Sequence, residues 1–132
     1  MDKYLRADLH YGKRWLGIAA FTLVAVLFAA LVPFDSEPPW PGRWDKTLHA
    51  LSFMLLMVVC CGPLAKSLRI RVFLLLLLCG VMIELIQIPL PGRKEEWGDL
   101  LADFIGLMAG FALLRFWLDD WCLQLERRLG LQ

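Results

Sequence analysis

The chain has 132 residues, a formal net charge of +1, 59% hydrophobic residues and a mean hydropathy of +0.60. With so little net charge and no basic tract, nothing recommends nucleic acid as a partner. Charged residues stand in short blocks between long apolar runs, the pattern of a polytopic membrane protein and not of a small soluble domain.

Residues 1–14 form a basic N-terminal tail. The first apolar run, residues 15–33, is uncharged, and the "LVPFDS" that closes it lacks a small-x-small cleavage site. An uncleaved first span is therefore expected, not a signal peptide. The following loop, "FDSEPPWPGRW", is Pro-rich and should be irregular, with Trp40 and Trp44 at headgroup depth. The second run, 48–65, carries only His49; the third, 70–89, carries Arg71 and Glu84; the fourth, 100–118, carries Asp103 and Arg115. Each is about 18–20 residues, which at ~1.5 Å per residue matches a hydrocarbon core of about 30 Å. Inside lipid the backbone must satisfy its own hydrogen bonds, so these runs are read as helices. The expected fold is all-α: a four-transmembrane-helix bundle over 15–118, then an amphipathic tail, 119–132. In that tail Trp117, Trp121, Leu125 and Leu129 recur opposite Asp120, Glu126 and Arg127, which predicts an interfacial helix. The N-terminal tail carries a weaker version of the same pattern.

Lys and Arg placement predicts the orientation. Lys3, Arg6, Lys13, Arg14, Lys66, Arg69, Arg71, Arg115, Arg127 and Arg128 fall on one side. Arg43, Lys46, Arg93 and Lys94 fall on the other. Both termini are expected in the cytoplasm of a bacterial cell, the spans in its inner membrane, and the first and third loops outside. Cys60, Cys61, Cys79 and Cys122 lack metal-finger or CxxC spacing and are read as small packing residues.

This orientation gathers the polar residues of the spans at the outer leaflet. Asp45 and His49 are i, i+4; Gly80, Glu84 and Gln87 are i, i+4, i+7; Asp99, Asp103, Gly106 and Gly110 are i, i+4, i+7, i+11. The Gly106–Gly110 stripe should let helix backbones approach closely. Glu84 lies five residues before Pro89, about 7–8 Å inside the outer boundary. An acid at a helix centre costs ~2.5–3.5 kcal/mol on insertion scales, so inward-facing acids are expected to share a polar site. Singly, several members have plainer readings. His49 fits an interfacial histidine, Asp99 a first-turn acid, and Gln87 one interhelical hydrogen bond.

Together, "DKTLHALSF", "ELIQIPLPGR" and "GDLLADFIGLMAG" resemble the VanZ-like family of small membrane proteins. The family pattern runs Asp-Lys-x-x-His, Glu-x-x-Gln-x-x-x-x-x-Arg, then Asp-x-x-x-Asn-x-x-Gly-x-x-x-Gly. Asp45, Lys46 and His49 match its first element, Glu84, Gln87 and Arg93 its second, and Asp99, Gly106 and Gly110 its third. The match covers residues 45–110. Asp103 departs from the family's Asn, and Phe53 stands where an aromatic, often Tyr, tends to follow the His. The resemblance implies a four-helix cytoplasmic-membrane protein. It also implies a link to the cell envelope, since the family takes its name from a gene associated with glycopeptide-antibiotic resistance.

The expected site contains His49, Glu84 and Asp103 as candidate catalytic groups, with Asp45, Lys46, Gln87, Arg93 and Asp99 as candidate binding groups. Its expected ligand is a membrane lipid or a lipid-linked, anionic envelope component. No resident cofactor is expected; a divalent metal on His49, Glu84, Asp99 and Asp103 is a variant of this reading. The rival reading is a non-catalytic module whose polar network supports packing and binding to a partner.

Overall fold

The computed structural model describes residues 4–31, 43–88 and 97–131, with side chains from residue 46 onward in the middle segment. Its helices are α1 (Gly12–Leu31), α2 (Arg43–Cys61), α3 (Arg69–Gln87), α4 (Trp97–Phe116) and α5 (Trp121–Arg128), with a 3-10 turn at Lys66–Leu68. The described residues contain no strand; a single antiparallel bridge pairs Leu5 with Leu64.

Helices occupy all four expected apolar runs, with shifted limits. The second helix stops at Cys61 instead of continuing to Ala65. Pro63 has no N–H to continue the ladder, and the chain turns with the Leu64 N–H on the Cys61 carbonyl at 3.2 Å. α1 starts three residues before the expected span, and α4 three residues before its own. Gly12–Leu31, Lys66–Gln87 and Trp97–Phe116 are long and apolar enough to cross a membrane; α2 offers a shorter apolar segment, Lys46–Cys61.

α2 and α4 form the most intimate pair in the bundle. Their contact depends on the glycine stripe: a Cβ at Gly106 would lie 2.1 Å from the Ala50 carbonyl oxygen, and one at Gly110 2.8 Å from that of Met54. Phe53, Leu56, Met57 and Cys61 of α2 close the core with Leu76 and Ile83 of α3 and Leu107 and Leu114 of α4. α1 lies on the outside, with only Gly12 and Ala19 fully buried. Phe21 is 75% exposed, and Phe28, Leu74, Leu75, Leu78, Leu101 and Ile105 are also exposed. Water would not tolerate so broad an apolar surface, so these faces suit lipid.

The start of α1, the α2–α3 turn, the end of α4 and α5 gather at one end of the bundle. There the Arg6 N–H bonds the Pro63 carbonyl at 3.0 Å, and the Ala65 N–H bonds that of Tyr4 at 2.9 Å. The Arg6 guanidinium, its side chain mostly buried, reaches Asp8 at 2.6 Å and Asp120 at 2.7 Å. Arg69, expected only as a loop charge, is buried and bonds Asp119 Oδ1 at 2.6 Å, just beyond the negative end of α4. Lys66 also pairs with Asp119. The hydrogen bonds from Arg6 and Lys66, respectively, hold the Asp8 and Asp119 carboxyls below the ordinary carboxylate range.

The tail helix α5 forms, but Glu126 does not lie on a water-facing side as the sequence pattern implies. It is fully buried and accepts N–H bonds from His10 (2.9 Å), Tyr11 (3.0 Å) and the Trp15 indole (2.8 Å). The cause is local: "HYGKRW" offers α1 no Ser, Thr, Asp or Asn to cap its orphan donors, so a carboxylate from α5 serves its positive end. Leu5 pairs with the α2–α3 turn and α1 begins only at Gly12, so the N-terminal residues described form turns and not an amphipathic helix.

Candidate functional site

The other end of the bundle contains the end of α1, the start of α2, the end of α3 and the start of α4. Each helix brings its polar residues there because the apolar stretches occupy the middle of the bundle. His49 Nδ1 of α2 lies 2.9 Å from Asp103 Oδ1 of α4. Asp103 is fully buried. Lys46, one turn before His49, bonds Asp99 Oδ1 at 3.2 Å, one turn before Asp103. Two rungs, each with its basic group on α2 and its acid on α4, therefore connect the helices about one turn apart, three residues on α2 and four on α4.

Glu84 of α3 joins this group. One ligand atom each from His49, Glu84 and Asp99 lie within 4.8 Å of one another, on three different helices. Asp99 is also buried, in the first turn of α4, where the helix dipole favours a carboxylate.

Two glycines make the geometry possible. A Cβ at Gly80 would lie 2.7 Å from Asp103 Oδ2 and 3.4 Å from the Phe53 ring, so Gly80 opens α3 to Asp103. The spacing pattern associated this glycine with Glu84; its actual neighbour is on α4. Gly98, which the sequence reading did not single out, lies against Lys46: a Cβ there would meet Cε at 2.8 Å and Nζ at 3.0 Å. Its place immediately before Asp99 in "GDLLAD" was the available signal.

Gln87 takes a different position. Its buried side-chain amide donates to the Ala30 carbonyl of α1 at 2.8 Å, as the plainer reading of an interhelical bond requires. Phe53 is buried in the core with its ring toward Gly80. The Asp45 side chain and all of Arg93 lie outside the described residues. The four cysteines are free, with Cys61 and Cys122 buried, in keeping with packing roles.

Two surface concavities are lined by other residues, Tyr4, Ala65, Ser67, Leu68 and Arg71 in one and Leu77, Trp97, Leu100, Leu101 and Phe104 in the other. The polar group is a close-set cluster between α2, α3 and α4. His49 supplies an imidazole fixed by a carboxylate, Glu84 a second acid, and Lys46 a cation. That set can transfer a proton or hold an ion or an anionic oxygen.

The VanZ/LLP1 family model matches residues 8–118, well over half of the chain. The chain belongs to the VanZ/LLP1 family. No curated protein and no solved structure matches it. All the clustered residues fall inside the VanZ/LLP1 match, which ends before α5 begins.

Proposed function

We propose that this VanZ/LLP1 protein is a multi-pass protein of the bacterial cytoplasmic membrane that binds or processes a lipid-linked or anionic envelope component at an outward-facing polar site. One observation carries the reading: Lys46, His49, Glu84, Asp99 and Asp103 meet at the bundle end opposite the α2–α3 turn and α5. In this reading α1 to α4 are four spans, α5 rests at the inner leaflet, and the excess of Lys and Arg keeps both termini in the cytoplasm. Lys46 and Arg93 hold the anion, His49 and Glu84 act as acid and base, and Asp103 positions the imidazole. The origin of the family name in glycopeptide resistance supports an envelope ligand.

The rival reading is a non-catalytic module in which the same bonds only join helices. It is favoured by the Gln87–Ala30 bond, which joins α3 to α1.

Titrating polyprenyl phosphate and phosphatidylglycerol into nanodiscs of neutral lipid separates the two. Saturable binding is expected for the wild type, lost in folded Lys46→Ala and Glu84→Gln variants. Equal binding by all three, or none by the wild type, contradicts the proposal. A reporter fused after Gln132 tests the orientation: activity in the cytoplasm is expected, and activity outside refutes it.

A further inference from the structure

We infer that His49, Glu84 and Asp99 bind a divalent first-row transition-metal ion of the Mn2+ to Zn2+ kind, with Asp103 as a positioning residue behind His49. This deepens the reading of the same site as a place for an anionic headgroup, and it rests on separate geometry.

The donors come from three helices, and their ligand atoms already lie within 4.8 Å of one another. A metal bound to nitrogen or oxygen at ~2.0–2.2 Å needs its ligand atoms ~3–4 Å apart, a difference within reach of small side-chain rotations.

The second observation is the hydrogen bond at the imidazole Nδ1, which in this assignment leaves Nε2 for the metal. Asp103 Oδ1 occupies Nδ1 at 2.9 Å and is fully buried, so the contact is sheltered from water. A carboxylate accepting the Nδ1 proton leaves the lone pair on Nε2 and makes that nitrogen more basic. Carboxylate–histidine–metal arrangements use this relay to orient the ligand. Gly80 supports it, because a Cβ there would collide with Asp103 Oδ2 at 2.7 Å.

Charge points the same way. Three carboxylates, Glu84, Asp99 and Asp103, gather around one imidazole inside an apolar bundle, and a divalent cation would offset their repulsion. Lys46 engages Asp99 through Oδ1, with its own side chain 40% exposed, so it can swing aside while keeping its charge near the rim. One imidazole and two carboxylates, with no thiolate, suit Mn2+, Fe2+ or Zn2+ better than Cu+. Three protein ligands leave coordination positions open, where an anionic oxygen of a headgroup would bind.

The test uses the full chain in detergent, stripped with chelator and free of added lipid, then titrated with Co2+, Mn2+ and Zn2+. One ion per chain is expected, with Co2+ showing the visible bands of a bound site. His49→Ala should abolish them, and Asp103→Asn should weaken affinity roughly 10–100-fold. His10→Ala, which removes the other histidine, should change nothing. No saturable binding by the wild type, or unchanged Co2+ bands in His49→Ala, overturns the inference. Should His49→Ala fail to fold, pulsed EPR of Mn2+ on the wild type decides: imidazole nitrogen coupling supports the site, and its absence overturns it. Because the headgroup titration can be run with chelator present, loss of the metal reading would leave that result independent.

Discussion

Asp103 Oδ1 lies 2.9 Å from His49 Nδ1, joining α4 to α2 through a carboxylate that no water reaches. A buried imidazole N–H without an acceptor carries a desolvation penalty of about 1–3 kcal/mol, and Asp103 removes it. Asp103→Asn keeps an acceptor oxygen and should cost under about 1 kcal/mol. Asp103→Leu should cost about 1–3 kcal/mol. Reversible unfolding in detergent compares them, and equal losses in both would show that the bond does not orient His49.

Close approach of α2 and α4 at Gly106 makes a second prediction. The clash of a Cβ with the Ala50 carbonyl involves backbone, which cannot rotate away, so Gly106→Ala must separate the helices. A loss of about 1–3 kcal/mol or more is expected. Gly17, on the exposed face of α1, has nothing within 4 Å of its would-be Cβ. Gly17→Ala should leave stability unchanged or raise it by about 0.5–1 kcal/mol. The same unfolding measurement checks both; comparable losses would contradict the packing described.

Glu126 provides a third. Replacing its carboxylate with an amide sets an NH2 group against N–H donors, and Glu126→Gln should loosen α5 by on the order of 2–3 kcal/mol. Cys122 reports the event, because it is buried and burial pushes its thiol up to about 12. With Cys60, Cys61 and Cys79 replaced by Ala, maleimide should label Cys122 roughly 30–100-fold faster in Glu126→Gln than in its parent. Equal rates would mean that Glu126 does not hold the tail.

Acid should act on the same end of the molecule. Asp8 and Asp119 have folded carboxyls below their ordinary value, because Arg6 and Lys66, respectively, hydrogen-bond the charged forms. A depressed folded pKa contributes stability above the unfolded value, lost as pH falls through the folded one. Cys122 protection should therefore be steady from neutral pH to about 5 and decline below about 4. Hydrogen exchange of α5 across that range reads it, and Asp119→Asn should flatten the profile. A tail that loosens on raising the pH from 5 to 7 would contradict this sign.

The helices and the polar end were legible because each depends on local pattern. Apolar runs of membrane length fix α1, α3 and α4, and helical spacing puts the polar residues of α2, α3 and α4 on faces at one end of the bundle. What sequence could not supply was the neighbour across a helix boundary. Gly80 serves Asp103 rather than Glu84, Gln87 reaches back to Ala30, and Glu126 turns inward toward the start of α1. Amphipathic spacing tells which residues share a face. It does not tell whether a polar face meets water or the unsatisfied donors of another helix.

Whether the polar end holds a lipid is decided by mass spectrometry of the lipids that copurify from cell membranes with the wild type and with Glu84→Gln, under conditions that keep both folded. An anionic or lipid-linked envelope species is expected near one per chain on the wild type and absent from Glu84→Gln. The same lipid complement on both proteins would contradict the proposal.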